Sequence, residues 1–219
     1  MKRQVGIGVL GCGTVGSCLL RTIATKRASI ARFTGLSLKV VRVCDRRREQ
    51  LRPWQSIATS DPWCVVDDPA VDVVVELLGG TTPAFSLVAR AISLGKPVVT
   101  ANKALLSERG EELFALARKH GVPIGFEASV AAAIPIIKSL RETFVANRIT
   151  GILAILNGTT NYILTRMDED GVSFEQALRR AQALGYAEAD PSLDISGKDA
   201  AHKIAILARY AFHTVVPVR

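Results

Sequence analysis

Aromatic side chains are scarce in this sequence, with seven Phe, two Trp and three Tyr among 219 residues. No stretch interleaves them with basic residues, which are scattered apart from the cluster Arg46, Arg47 and Arg48. The formal charge of +8 is therefore weak support for nucleic acid, whose binders carry basic stripes and stacking aromatics. Long hydrophobic runs are also missing. No apolar stretch reaches bilayer-spanning length, so no membrane partner is expected. Cys12, Cys18, Cys44 and Cys64 lack the paired C-x-x-C spacing of a zinc site, and isolated reduced thiols suit the cytosol. The start MKRQVGIGVLGCG is basic, then briefly apolar, but it runs straight into a glycine motif and does not read as a signal peptide. A cytoplasmic location is expected. No internal repeat or low-complexity segment is visible.

What the sequence does have is enough apolar bulk for a real core, at 48% hydrophobic residues. Its length suits one large domain or two small ones. The run Val5 to Leu10 reads as a buried parallel strand. GCGTVG follows at 11–16, with Gly11, Gly13 and Gly16 in G-x-G-x-x-G spacing, and Ser17 to Thr25 continues as an apolar helix. Strand, glycine turn and helix form the context in which this motif binds a dinucleotide. Gly11 permits the tight turn, Gly13 lets backbone approach a pyrophosphate, and Gly16 lets helix and strand pack closely. The helix N-terminus, beginning at Thr14 and Val15, offers N–H groups and a positive dipole end to phosphates.

Leu36 to Cys44 reads as the second strand. Asp45 stands at its end, where an acid holds the ribose 2′-hydroxyl of NAD. The gap from the glycines exceeds the usual ~20 residues, because Lys26 to Thr34 lengthens the helical connection. Arg46 is placed to meet the 2′-phosphate of NADP, whereas Arg47 and Arg48 read as a solvated loop. NADP(H) is the expected cofactor, with NAD(H) also accepted. Residues 49–70 read as a loop-rich connection containing Pro53, Pro62 and Pro69. Val71 to Leu78 is a third strand, followed at its carboxyl end by Gly79, Gly80 and Thr81, where a ligand meets an open α/β sheet. A helix over 83–94, a strand over 97–100 ending near Lys103, a helix over 105–120 and a strand over 122–126 complete a Rossmann pattern.

Beyond it, ITGILAIL at 149–156 reads as a strand and 174–184 as a helix closed by Gly185. GYAEADPSLDISGKDAAHK at 185–203 gathers Glu188, Asp190, Asp194 and Asp199 with Lys198 and Lys203. Asp199 and Lys203 share a helical face; taken alone, that spacing is an ordinary surface ion pair.

These segments together resemble homoserine dehydrogenases. The resemblance rests on GCGTVG at 11–16, ELLGG at 76–80, VVTANKALL at 98–106, FEASVAAAIPIIKSLRE at 126–142, ILNGTTNYILTRM at 155–167 and GYAEADPSLDISGKDAAHKIAILA at 185–208. It implies an α/β fold with a Rossmann-type parallel sheet over 1–135. A partial α+β domain for substrate binding and dimerisation would follow over 136–219. It implies reversible NAD(P)H-dependent reduction of L-aspartate 4-semialdehyde to L-homoserine, a step towards threonine, methionine and isoleucine, by a homodimer. Lys203 would carry the proton at the substrate oxygen, Glu188, Asp194 and Asp199 would bind or orient substrate, and Lys103 would lie at the cofactor–substrate junction. A sodium-like cation would sit on mainly backbone oxygens of Glu127, Val130, Ala132 and Ile134. Two departures stand out. Ala131, Ala132 and Ala133 occupy a loop where the family usually has glycines, and the family's catalytic region continues past position 219. A truncated, catalytically incompetent nucleotide-binding paralogue or fragment is therefore the competing expectation.

Overall fold

The computed structural model describes residues 3–131 and 133–218. The chain forms two compact units, Met1–Ser129 and Val130–Arg219. The first is built on a parallel sheet. Strand β1 (Arg3–Leu10) runs into the glycine turn, and helix α1 spans Thr14–Thr34 without interruption. No glycine or proline breaks the segment Ser17 to Thr34. Gly35 then ends the helix at φ 74, and its N–H donates to the Ala31 carbonyl. At 1.5 Å per residue the 21-residue helix is about 30 Å long. This length accounts for the long gap between the glycines and Asp45.

Strand β2 (Leu36–Cys44) pairs with β1. The segment expected to be loop is more structured than its proline content suggested. Helix α2 (Arg48–Leu51), a 3-10 turn (Arg52–Ile57), strand β3 (Ala58–Thr59) and helix α3 (Trp63–Val66) fill it. Pro53 falls at the start of the 3-10 turn and Pro62 at the N-cap of α3, positions where proline's missing N–H has no intrahelical bond to lose. The remaining elements are β4 (Val73–Glu76), α4 (Ala84–Ser93), β5 (Val98–Thr100), α5 (Lys103–His120) and β6 (Ile124–Gly125). The sheet order is β3-β2-β1-β4-β5-β6, all parallel. The order reverses at β1, so the carboxyl ends of β1 and its neighbours β2 and β4 border the crevice of a doubly wound sheet. Val9 and Leu10 on β1, Val74 on β4, and Leu87, Val88, Ala91 and Ile92 on α4 are completely buried. They form the apolar layers that hold this crevice open.

In the second unit the described residues form helices: α6 (Ile136–Lys138), a π-helical turn (Ser139–Thr143), α7 (Gly158–Asp170), α8 (Phe174–Ala183), α9 (Ser192–Ile195) and α10 (Lys198–Phe212). Ser173 and Gln176 form a capping box at the start of α8. Ile163 packs with Ala177, Ala181 and Ala187 between α7 and α8. The strand expected over 149–156 is not formed. Residues 148–157 are irregular, and Leu153 and Ile155 are 103% and 76% exposed. A strand exists through its ladder, and no described residue of this unit offers one.

Gly16 fixes how closely α1 approaches the turn. A Cβ there would lie 2.1 Å from the Gly11 carbonyl oxygen, in backbone that cannot move aside. Gly16→Ala is expected to destabilise the chain by about 2 kcal/mol, the usual scale of overpacking, measured as a lower urea midpoint at unchanged m-value.

Candidate functional site

The glycine turn opens into a cavity of about 540 Å³. Gly11 and Gly13 line it from the end of β1, Cys44, Asp45, Arg46 and Arg47 from the end of β2, and Leu77, Leu78 and Gly79 from the end of β4. Ser60, Pro62, Thr82 and Pro83 close the rim. Gly11 has φ 98, and a Cβ on it would lie 2.6 Å from the Leu77 carbonyl oxygen, so β1 and β4 leave no room there for a side chain. Gly13 is more open; the nearest atom to a Cβ would be in the Arg47 guanidinium, at 3.4 Å. Thr14 and Val15 are exposed and Gly16 is buried, in the first turn of α1. The shape, the glycine backbone and the helix N-terminus suit a dinucleotide.

Asp45 is buried, and both of its oxygens accept hydrogen bonds. Oδ2 accepts from the Cys12 N–H at 2.7 Å. Oδ1 accepts from the Arg47 N–H at 2.9 Å and from its Nε at 3.3 Å. Burial alone would raise the carboxyl pKa. The hydrogen bonds from Arg47 and Cys12, with the Arg47 charge, outweigh it and hold Asp45 below the ordinary carboxylate range. Beside it, burial first and then the Asp45 charge push the Cys44 thiol up to about 11, so it stays protonated at neutral pH. Arg46 is the arginine expected at a phosphate, and Arg47 is expected in solvated loop. In the structure both line the cavity, and Arg47 is the one on Asp45.

Glu76, Thr100 and Asn102 form a second buried group at the ends of β4 and β5. Glu76 Oε2 accepts from the Thr100 hydroxyl at 2.6 Å, and Oε1 accepts from the Leu78 N–H at 2.8 Å and the Asn102 amide at 3.3 Å. Asn102 also donates to the Gly80 carbonyl at 2.7 Å and caps α5 by accepting from the Leu105 N–H at 3.0 Å. Lys103 is the first residue of α5, partly buried. Thr81 donates to Glu108 at 3.2 Å.

In the second unit the Asp199–Lys203 pair is not a surface pair, since the two side chains are 4% and 18% exposed. Lys203 Nζ donates to Asp199 Oδ2 at 2.7 Å and to the Leu156 carbonyl at 2.6 Å. Asn157 donates to Asp194 at 2.7 Å and to Asp199 at 2.9 Å, so one amide bridges both carboxylates. The Thr159 hydroxyl lies between the Tyr186 carbonyl, at 2.7 Å, and Asp194 Oδ2, at 3.0 Å. The network therefore brings together Asp194, Asp199 and Lys203. It does not include the exposed Glu188 side chain, although the Glu188 carbonyl accepts from Gln182. Neither Asn157 nor Thr159 is among the site residues expected from the sequence. Their signal was Asn157 immediately before a helical pattern, an N-cap position, where its side chain accepts from the Thr160 N–H.

Of the expected cation positions, Glu127 lies partly buried in a 3-10 turn, Val130 is buried, Ile134 is exposed, and Ala132 lies outside the described residues. The Ile134 carbonyl already accepts from the Ile136 N–H at 2.8 Å. Among the described residues, no group of three or more His, Cys, Asp or Glu side chains is placed to hold a metal ion. No helix among them is long and apolar enough to cross a membrane.

The pH dependence of Asp45 follows from its partners. A carboxyl whose pKa falls on folding adds stability above its unfolded value, about 4, and loses it as pH drops through the folded value. Asp45→Asn is therefore expected to melt below wild type at pH 7. The gap should narrow as pH falls below about 4, the unfolded value, followed by thermal denaturation as a function of pH.

Residues 11–127 match the family model described as "Homoserine dehydrogenase, NAD binding domain", and residues 135–219 match "Homoserine dehydrogenase". The chain is 49% identical over 214 residues to a homoserine dehydrogenase of Neisseria gonorrhoeae, covering 97% of this chain and 49% of that protein. It is 47% identical over 211 residues to the enzyme of the same name from Pseudomonas aeruginosa, covering 96% and 49%. The chain thus spans about half the length of the curated relatives it matches. Among solved structures, a homoserine dehydrogenase from Thiobacillus denitrificans superposes with TM-score 0.91 at 46% identity, covering 99% of this chain and 50% of that one. A hyperthermophilic archaeal homoserine dehydrogenase in complex with NADPH superposes with TM-score 0.84 at 30% identity, covering 97% and 71%.

Proposed function

Because this chain belongs to the homoserine dehydrogenase family, we propose that it carries the cofactor and proton-transfer machinery for reversible reduction of L-aspartate 4-semialdehyde to L-homoserine. The observation that carries the reading is Lys203, a shielded ammonium held between the Asp199 carboxylate and the Leu156 carbonyl. Two of its three N–H donors are occupied in these bonds, and the third is available to a substrate oxygen. A reduced nicotinamide, when bound, would supply the hydride that the aldehyde carbon takes up. As negative charge builds on the aldehyde oxygen, Lys203 stabilises it and gives up a proton. The neutral amine then regains a proton from water, and in the reverse direction it takes the proton from the alcohol. Asp199 keeps Nζ in place throughout. Asp194 and Glu188 supply negative charge for the substrate ammonium, and Lys103 serves at the junction of cofactor and substrate.

The phosphate-binding roles fall to the glycine turn and the first turn of α1, with Gly79, Gly80 and Thr81 along the β4 side. NADP(H) is preferred in this reading. Arg46 and Arg47 line the cavity and can meet a 2′-phosphate, while Asp45 still accepts the 2′-hydroxyl of NAD(H). A monovalent cation on the backbone of Glu127, Val130, Ala132 and Ile134, a homodimer and a cytoplasmic location belong to the same proposal. Exposed Leu153 and Ile155 are the surface that a second copy would cover.

Mixed with L-homoserine and NADP or NAD, the purified chain is expected to produce reduced nicotinamide, faster with NADP. Lys203→Ala should lower that rate by roughly 100-fold or more while leaving nucleotide affinity within about twofold, since the residues lining the glycine-turn cavity all belong to the first unit. Nucleotide binding without homoserine-dependent reduction by the wild-type chain would overturn the catalytic reading and favour a nucleotide-binding role.

A further inference from the structure

The turn Leu78–Gly80 has little of its own to hold it. Gly79 and Gly80 both take positive φ, 75 and 67, and nothing lies within 4 Å of where a Cβ would stand on either. Two hydrogen bonds hold this backbone, from the Leu78 N–H to Glu76 and from the Asn102 amide to the Gly80 carbonyl. Both lead to one buried group. Glu76 is completely buried, and Asn102 and Thr100 are 6% and 1% exposed. The Thr100 hydroxyl closes the ring, donating to Glu76 and accepting from the Asn102 N–H at 3.0 Å. The carbonyl oxygen of the same Asn102 side chain caps α5, whose first residue is Lys103. One amide thus ties the glycine turn to the start of the helix that carries Lys103.

We infer that Asn102, braced by Glu76 and Thr100, is a positioning residue for the nicotinamide half of the bound dinucleotide. This rests on the nucleotide-binding reading above. Asp45 stands at the end of β2, on the adenosine-ribose side of the glycine turn, whereas Gly79 follows β4 on the opposite side of β1. The clamp therefore governs one half of the cavity. Its loss is selective, because Asp45, Arg46, Arg47 and the helix N-terminus make no hydrogen bond to it.

The test compares NADPH with 2′,5′-ADP, which lacks the nicotinamide. Asn102→Ser keeps a good helix cap but cannot reach Gly80 or Glu76 with an amide. Its affinity for NADPH should fall about tenfold, the effect of a lost buried hydrogen bond, while affinity for 2′,5′-ADP stays within about twofold. Thr100→Val has nearly the same shape and removes the bracing hydroxyl; it should show the same split at smaller size. Retained 2′,5′-ADP binding reports that the variants are folded. Unchanged NADPH affinity in both variants would overturn the inference, as would an equal fall for both ligands, which marks a purely structural role. If wild type binds neither ligand, the nucleotide-binding reading itself falls and takes the inference with it.

Discussion

A carboxylate removed from water must be met by donors. Left unmatched, it costs several kcal/mol. This chain buries Asp45, Glu76 and Asp199, and each is answered differently. Asp45 uses two backbone N–H groups and a guanidinium. Glu76 uses a backbone N–H, a hydroxyl and an amide, and Asp199 uses an amide and an ammonium. The donors come from distant parts of the chain, 33 residues away for Cys12 and Asp45 and 42 for Asn157 and Asp199. Meeting each acid therefore fixes long-range geometry where a strand ends or a helix begins. The candidate sites lie at these points because catalysis and binding need groups held in this way.

Two asparagines do the same work in the two units. Asn102 and Asn157 each cap a helix with the side-chain oxygen and spend the amide nitrogen on a buried carboxylate. Serine or aspartate caps a helix equally well, but only asparagine offers an acceptor and two donors on one short side chain. The cap alone does not account for the residue type; the carboxylate beside it does. In the second unit this changes the standing of the Asp199–Lys203 pair. Exposed, such a pair contributes a few tenths of a kcal/mol. Shielded and bridged by Asn157 to Asp194, it becomes part of a network in which removing one member leaves another uncompensated.

Much of this was legible in the sequence. The glycine spacing, the apolar strand runs and the acid after β2 follow from backbone sterics and period, which are local properties. The structure bears out the packing roles of Gly11 and Gly16 atom by atom. What was not legible depends on partners. ITGILAIL has the composition of a strand, yet a strand is made by its neighbour, and none is present among the described residues of that unit. Arg46 and Arg47 are indistinguishable in composition; which one folds onto Asp45 is decided by the tight turn after β2, in which the Arg47 N–H itself reaches the carboxylate. Glu76 leaves a trace as the acid that ends the apolar run VVVE inside VDVVVELL, since a charged residue in a buried strand demands an explanation.

The two candidate sites are also built from different materials. The nucleotide cavity leans on backbone at its glycines Gly11, Gly13 and Gly79, with the N–H groups of a helix end beside them and a turn held from behind. Side chains of Asp45, Arg46 and Arg47 line its β2 side. The lysine–carboxylate network is mostly side chains, anchored to backbone at the Leu156 and Tyr186 carbonyls. Backbone sites tolerate substitution except where a Cβ intrudes, as at Gly11 or Gly16. A side-chain network tolerates little at any member. Sequence variation around the cavity should therefore tune cofactor choice, whereas variation at Asn157, Asp194, Asp199 or Lys203 is expected, on the role proposed for Lys203, to decide whether the proton is carried at all.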